Sequence, residues 1–194
     1  MSEIKLQCTC GQVQGLVRDF SVSRSTRAVC HCADCQAYAR HLDDGSDNGG
    51  DTLDEFGGTD VLQLTPTQVT FHQGADQLRC LRLTAKGLYR WYAGCCKTPI
   101  ANTIAPGLPF VGLVHNALAA DAAMDTNVGP VQFYMQGKTA IAQRPGVKVH
   151  SGFPVGWFLA TLPWFLMAKI RGKQKPSPFF DDSSKPTVTP EVLR

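Results

Sequence analysis

The chain has 194 residues, 43% hydrophobic and 18% charged, and its 19 Lys and Arg against 16 Asp and Glu leave a formal net charge of +3. That balance excludes a disordered chain, a coiled coil, a collagen-like repeat and an extended nucleic-acid grip, so no nucleic-acid partner is expected. Its 18 Gly, 12 Pro and 8 Cys point to many short elements joined by turns, with an unusual supply of thiols.

The opening Met1-Ser2-Glu3-Ile4-Lys5-Leu6 lacks an apolar signal core, so no export signal and a cytoplasmic, reducing setting are expected. In that setting clustered cysteines hold metal more often than they form disulfides. Ile4, Leu6, Cys8 and Cys10 alternate with Lys5, Gln7 and Thr9, which predicts a strand carrying both thiols on one face. Gly11 turns it toward a partner strand over 13–17. Residues 27–30 lead into Cys30-His31-Cys32-Ala33-Asp34-Cys35, and 36–42 predict a short helix that starts on this cysteine knuckle.

Residues 43–60 are rich in Asp and Gly and contain no Lys or Arg. Their acids do not follow the spacing of a calcium loop, so a solvated acidic loop is predicted. Between 61 and 115, runs at 61–64, 69–72, 78–84, 88–92 and 110–115 are separated by turn signals and predict a β meander, with a further strand at 131–136. Cys80 lies in an alternating run and reads as a small core residue. Cys95-Cys96-Lys97-Thr98-Pro99 is a second cysteine turn. Neighbours on an extended chain point apart, so one of Cys95 and Cys96 is expected to be a ligand and the other a spare.

Residues 152–168 carry no charge, and Lys169, Arg171, Lys173 and Lys175 follow. The run is shorter than the about 20 residues that span a bilayer and is broken by Gly and Pro. The predicted organisation is a zinc-binding β domain over 1–150, an apolar helix with a basic flank over 151–175, and an extended tail over 176–194 that lies on the domain or is disordered. The apolar segment has three readings: a helix buried against the domain or in a homodimer through 153–170, a peripheral segment at a membrane surface, or a span.

Cys8-x-Cys10, Cys30-x-Cys32-x-x-Cys35 and Cys95-Cys96 offer thiolates of the kind that zinc prefers, at about 2.3 Å per Zn–S bond. Four thiolates close a structural site, and three leave a position for water or substrate. Cys32-x-x-Cys35 alone is also compatible with a redox pair, although that motif usually sits in a βαβ unit. His31 has three open readings: a proton carrier, a fourth ligand, or a ring packed on the knuckle.

Cys8-Thr9-Cys10-Gly11 with Val13, Cys30-His31-Cys32 with Asp34-Cys35-Gln36, Phe71-x-x-Gly74, and Cys96-x-Thr98-Pro99-Ile100 together resemble the glutathione-dependent formaldehyde-activating enzyme family, also called the centromere protein V family. The resemblance covers roughly residues 4–115. It implies a mainly β fold, the Mss4-like β-tent of layered antiparallel sheets, and one or two zinc ions per chain. It implies a structural zinc on Cys8 and Cys10 with a later cysteine pair, and a catalytic zinc on Cys30, Cys32 and Cys35 with an open position. The later pair would begin at position 93, which is Ala93, so Cys95 and Cys96 are the nearest replacements, and Lys97 stands where the family usually has Gly.

The resemblance further implies a zinc-dependent carbon–sulfur lyase acting on a small thiol adduct, such as a glutathione-type hemithioacetal. Arg40, Arg79, Arg82 and Arg90 are candidate contacts for such an anionic thiol, and Tyr38 a candidate hydroxyl near the knuckle. The alternative is a non-catalytic zinc-stabilised module whose apolar carboxy-terminal segment binds a partner or a membrane surface.

Overall fold

Short apolar runs punctuated by Gly and Pro fold into short strands, as period and punctuation require. The structure, a computed structural model, describes residues 2–43, 52–119 and 127–193. In chain order the strands are β1 (Ser2–Gln7), β2 (Gln14–Phe20), β3 (Thr26–Cys30), β4 (Thr59–Leu64), β5 (Val69–Gln73), β6 (Leu78–Arg82), β7 (Tyr89–Ala93), β8 (Pro99–Thr103), β9 (Val111–Val114), β10 (Phe133–Met135) and β11 (Glu191–Val192). Helix α1 (Ala33–Leu42) follows β3, and helix α2 (Val155–Ile170) follows β10. The protein is mainly β.

The strands form two sheets, a small one in the order β1-β2-β5 and a large one in the order β10-β3-β4-β9-β8-β7-β6-β11. Every pairing is antiparallel except at the two edges of the large sheet, where β10 joins β3 and β11 joins β6 in parallel. One continuous core lies between the sheets. Ile4, Leu6, Val17 and Phe20 of the small sheet share it with Leu62, Leu64, Trp91, Ile100, Val111 and Leu113 of the large one.

The predicted meander holds for the run β6-β7-β8-β9, but β5 leaves it to complete the small sheet. β8 has no counterpart in the sequence prediction. All five of its residues, Pro99 to Thr103, are buried. A strand covered on both faces shows no alternation, which is the signal the prediction relied on.

The acidic stretch is shorter as a loop than expected. Residues 44–51 lie outside the described residues, and the part that follows is anchored rather than solvated. Asp54 accepts hydrogen bonds from the backbone of Phe56 (2.9 Å) and Gly58 (2.8 Å) and pairs with Arg144. Asp60 belongs to β4 and holds the buried Arg27 through two carboxylate oxygens, at 2.7–3.1 Å.

The carboxy-terminal segments match some of their expected readings and not others. α2 is not buried, and one of its faces is open to solvent. No helix among the described residues is long and apolar enough to cross a membrane. The tail lies along the domain and contributes more core than its sequence suggests. Phe179 and Phe180 are buried, with ring centroids 5.2 and 5.8 Å from that of Trp91.

Candidate metal centres

The sheets bring two groups of cysteines together, and the sulfurs within each group lie within 4.8 Å of one another. The first group is Cys8, Cys10, Cys95 and Cys96. It sits where the β1–β2 turn meets the β7–β8 turn. Cys8 and Cys10 are not on a strand, because β1 ends at Gln7 and the chain turns. Gly11 takes a left-handed φ of 75°, its N–H donates to the Cys8 carbonyl at 2.8 Å, and the Cys8 N–H donates to Val13 at 3.0 Å. The turn, rather than strand alternation, aims both thiols the same way. The Val13 N–H also donates to Cys8 Sγ at 3.2 Å, a contact that favours thiolate charge.

Cys95 and Cys96 both reach the group, against the expectation that one would be a spare. They lie in a turn closed by Ala93 N–H to Thr98 O (2.9 Å) and Lys97 N–H to Ala93 O (2.8 Å). Neighbouring side chains diverge only on an extended chain. Lys97 takes a left-handed φ of 60°, the conformation that glycine adopts at least cost. Ala93 is a buried β7 residue outside the sulfur group.

Thr98 ties the two turns together, accepting from Thr9 N–H at 3.0 Å with its hydroxyl 2.8 Å from that of Thr9 and 3.0 Å from Cys96 Sγ. Neighbouring sulfurs are separated by 3.4–3.8 Å. An ion bound tetrahedrally at about 2.3 Å per sulfur spaces its ligands about 3.8 Å apart, a spacing close to these separations. Burial opposes ionisation of Cys96, but hydrogen bonds from Thr98 and from the Cys10 backbone outweigh it and bring that thiol down to about 6. Burial pushes Cys8 and Cys95 up.

The second group is Cys30, Cys32 and Cys35, and no fourth His, Cys, Asp or Glu atom joins it among the described residues. Cys30 ends β3, Cys32 is the N-cap of α1, and Cys35 lies in the first turn of the helix. The Cys35 N–H donates to Cys32 Sγ at 3.3 Å. Hydrogen bonds from the Cys30 and Cys35 thiols, helped by that N–H and by the charge of Arg90, hold Cys32 far below the ordinary thiol range. Hydrogen bonding with Cys32 and Cys35, and burial, push Cys30 far above it. Cys30 and Cys35 are buried, whereas Cys32 is partly exposed.

Arg90, on β7, completes this surrounding. Its side chain is buried, with Nη1 3.8 Å from Cys35 Sγ and 3.2 Å from Asn102 Oδ1, and its guanidinium stacks 5.2 Å from the Tyr38 ring centre. No ion pair joins Arg90 to a carboxylate among the described residues. A buried cation calls for a counter-charge, and a thiolate of this group is the candidate. Arg90 acts to lower both Cys32 and Cys35, although at Cys35 a hydrogen bond with Cys30 and the pull of Arg90 are outweighed by a hydrogen bond with Cys32 and by burial, which push that thiol up to about 11. Three thiolates around a divalent ion carry a net charge of about −1, which one guanidinium balances.

The other sequence candidates lie elsewhere. Arg40 bonds Gln36, Arg79 bonds backbone carbonyls, and Arg82 bonds the Gly87 carbonyl. Tyr38 is buried and its hydroxyl donates to Trp91 O at 3.0 Å, so it serves the sheet rather than the cysteines. The His31 ring is fully buried and turned toward β10, 3.1 Å from Met135 O through Nδ1, and lies outside the sulfur group. Cys80 lies in the core, where burial raises its thiol to about 12. Sequence reasoning gave no role to Asn102, which holds Arg90, or to Thr98, which was quoted only within its motif. For Asn102 the available signal was a polar residue after the apolar Pro99-Ile100-Ala101.

The family of unknown function DUF6151 matches residues 1–191. No curated protein matches the chain. A crystal structure of a Rhodobacter sphaeroides protein, a structural-genomics target, is similar over 66% of this chain and 97% of its own, at 16% identity and a TM-score of 0.43.

Proposed function

We propose, for a chain that belongs to the DUF6151 family of unknown function, a two-zinc protein with one structural and one reactive centre. Cys8, Cys10, Cys95 and Cys96 hold the structural ion. Cys30, Cys32 and Cys35 hold the reactive one, at which a carbon–sulfur bond is made or broken in a small thiol adduct such as a glutathione-type hemithioacetal. The observation that carries this reading is the asymmetry between the groups. Four thiols close one, whereas the other has three thiols, a partly exposed Cys32 and a buried cation behind Cys35.

A zinc ion held by three thiolates supplies Lewis-acid stabilisation to a thiolate or alkoxide. The protein's own contribution is positional. Cys30 and Cys35 fix the site from the buried side, and Cys32 leaves its exposed side as the approach for a ligand. Arg90 offsets negative charge that builds up as the bond changes. In the cleavage direction the S–C bond of the hemithioacetal breaks with its electron pair going to sulfur. The hydroxyl becomes the carbonyl of the released aldehyde, and its proton is transferred to give the free thiol.

Glutathione and formaldehyde, mixed with the metal-loaded protein, test this reading by exchange NMR on the adduct methylene. Faster exchange that disappears in Cys32→Ser is the expected result. No acceleration by a protein that carries its metal contradicts a lyase and supports the non-catalytic module, which the exposed face of α2 favours.

A further inference from the structure

We infer that the open face of α2 docks the protein on an anionic membrane surface. This inference stands on observations separate from the cysteine chemistry. Val155, Leu159, Leu162, Leu166 and Ile170 are spaced by four, three, four and four residues, which places them in one stripe of the helix. They are 69%, 61%, 41%, 57% and 79% exposed. The opposite face carries Trp157, Thr161, Trp164, Phe165 and the buried Ala168, and Trp157 packs 4.7 Å from the Phe133 ring. A helix apolar on all sides belongs in a core or in lipid. The domain covers only one side of this one.

Length and charge select the occupant. Sixteen residues rise about 24 Å, short of a bilayer core, so the helix lies in the interface rather than crossing it. No Asp or Glu occurs from 126 to 180, whereas Lys169 stands in the last turn of the helix and Arg171, Lys173 and Lys175 follow it, all four exposed, with Lys169 Nζ donating to Gly107 O and Lys175 Nζ to Asp182 O at 2.6 Å. Arg171 and Lys173, with Arg24, also line a cavity of about 500 Å³ beneath the end of the helix, in which Asp19 is the acid. A second copy docking through the same stripe brings no acid from this stretch to meet those cations. Anionic headgroups supply the counter-charge beside an apolar layer.

The test is sedimentation of the full metal-loaded chain with vesicles of phosphatidylcholine, alone or mixed with phosphatidylserine, together with light scattering to establish the oligomeric state. Binding to the phosphatidylserine vesicles is expected, with loss of binding in Leu159→Ser/Leu166→Ser. The pair Arg171→Gln/Lys173→Gln lowers partitioning by about tenfold or more. Both pairs change exposed side chains, so unfolding does not mimic the result, and an unchanged melting curve verifies this. A chain that ignores phosphatidylserine vesicles overturns the inference. So does a dimer in solution that the Leu159→Ser/Leu166→Ser pair dissociates, which assigns the stripe to a second copy.

Discussion

Arg90 Nη1 lies 3.8 Å from Cys35 Sγ, and the arginine is only 2% exposed. The pair joins β7 to α1 and places a fixed positive charge directly behind the three-cysteine group. Replacing Arg90 by Met removes that charge while keeping most of the volume. Metal affinity at Cys30, Cys32 and Cys35 is then expected to fall about 10- to 100-fold, as when the outer partners of other metal sites are removed. The four-cysteine group should hold its ion as before. Competition with a chromophoric chelator measures both, and an unchanged affinity at the second group refutes the role given to Arg90.

Gly74 presses on the other site. Its φ is +67°, and a Cβ there would stand 2.2 Å from Gln12 O and 3.0 Å from Val13 Cα, on the turn that carries Cys8 and Cys10. The obstacle is backbone, which cannot rotate away. Gly74→Ala is expected to cost about 2–3 kcal/mol, from left-handed strain and displacement of the turn. Urea denaturation of the metal-loaded protein reads the loss. A midpoint equal to that of the parent contradicts the contact.

The tail is part of the fold. Phe179 is fully buried, with ring centroids 5.2 Å from Trp91 and 6.0 Å from Phe71. Phe179→Ala should destabilise by about 3–5 kcal/mol, the range for large aromatic deletions in a core. If thermal and urea unfolding are unaffected, the tail is an accessory rather than a core element.

These three sites also show what the sequence makes legible. The order of strands from β4 to β9 could be read in large part because turn residues mark their ends, and α1 because nothing between Gln36 and Leu42 breaks a helix. The cysteines of both groups could be picked out by spacing, whereas the joining of Cys8 and Cys10 to a later pair was implied by the resemblance. The internal geometry of the groups could not be read, because it comes from turns. The 93–98 turn bends together two thiols that an extended chain would have pointed apart, and the Cys8–Val13 turn brings Cys8 and Cys10 to one side without a strand.

Burial erased other signals. β8 is covered on both faces and shows no period, and Phe179 and Phe180 sit between prolines and acids that suggest a loose tail. Arg90 was one candidate among four arginines until β7 and α1 were brought into contact. Long-range pairing selected it, and one chain read in order carries no record of that pairing.

Metal stoichiometry by elemental analysis, paired with free-thiol counting on the same sample, tests the two-centre assignment most directly. About two zinc ions per chain are predicted, one lost in Cys8→Ser and the other in Cys32→Ser, with the first substitution also lowering the melting temperature because metal binding and folding are coupled. A metal-free chain, in which Cys32 and Cys35 oxidise reversibly to a disulfide, would contradict it.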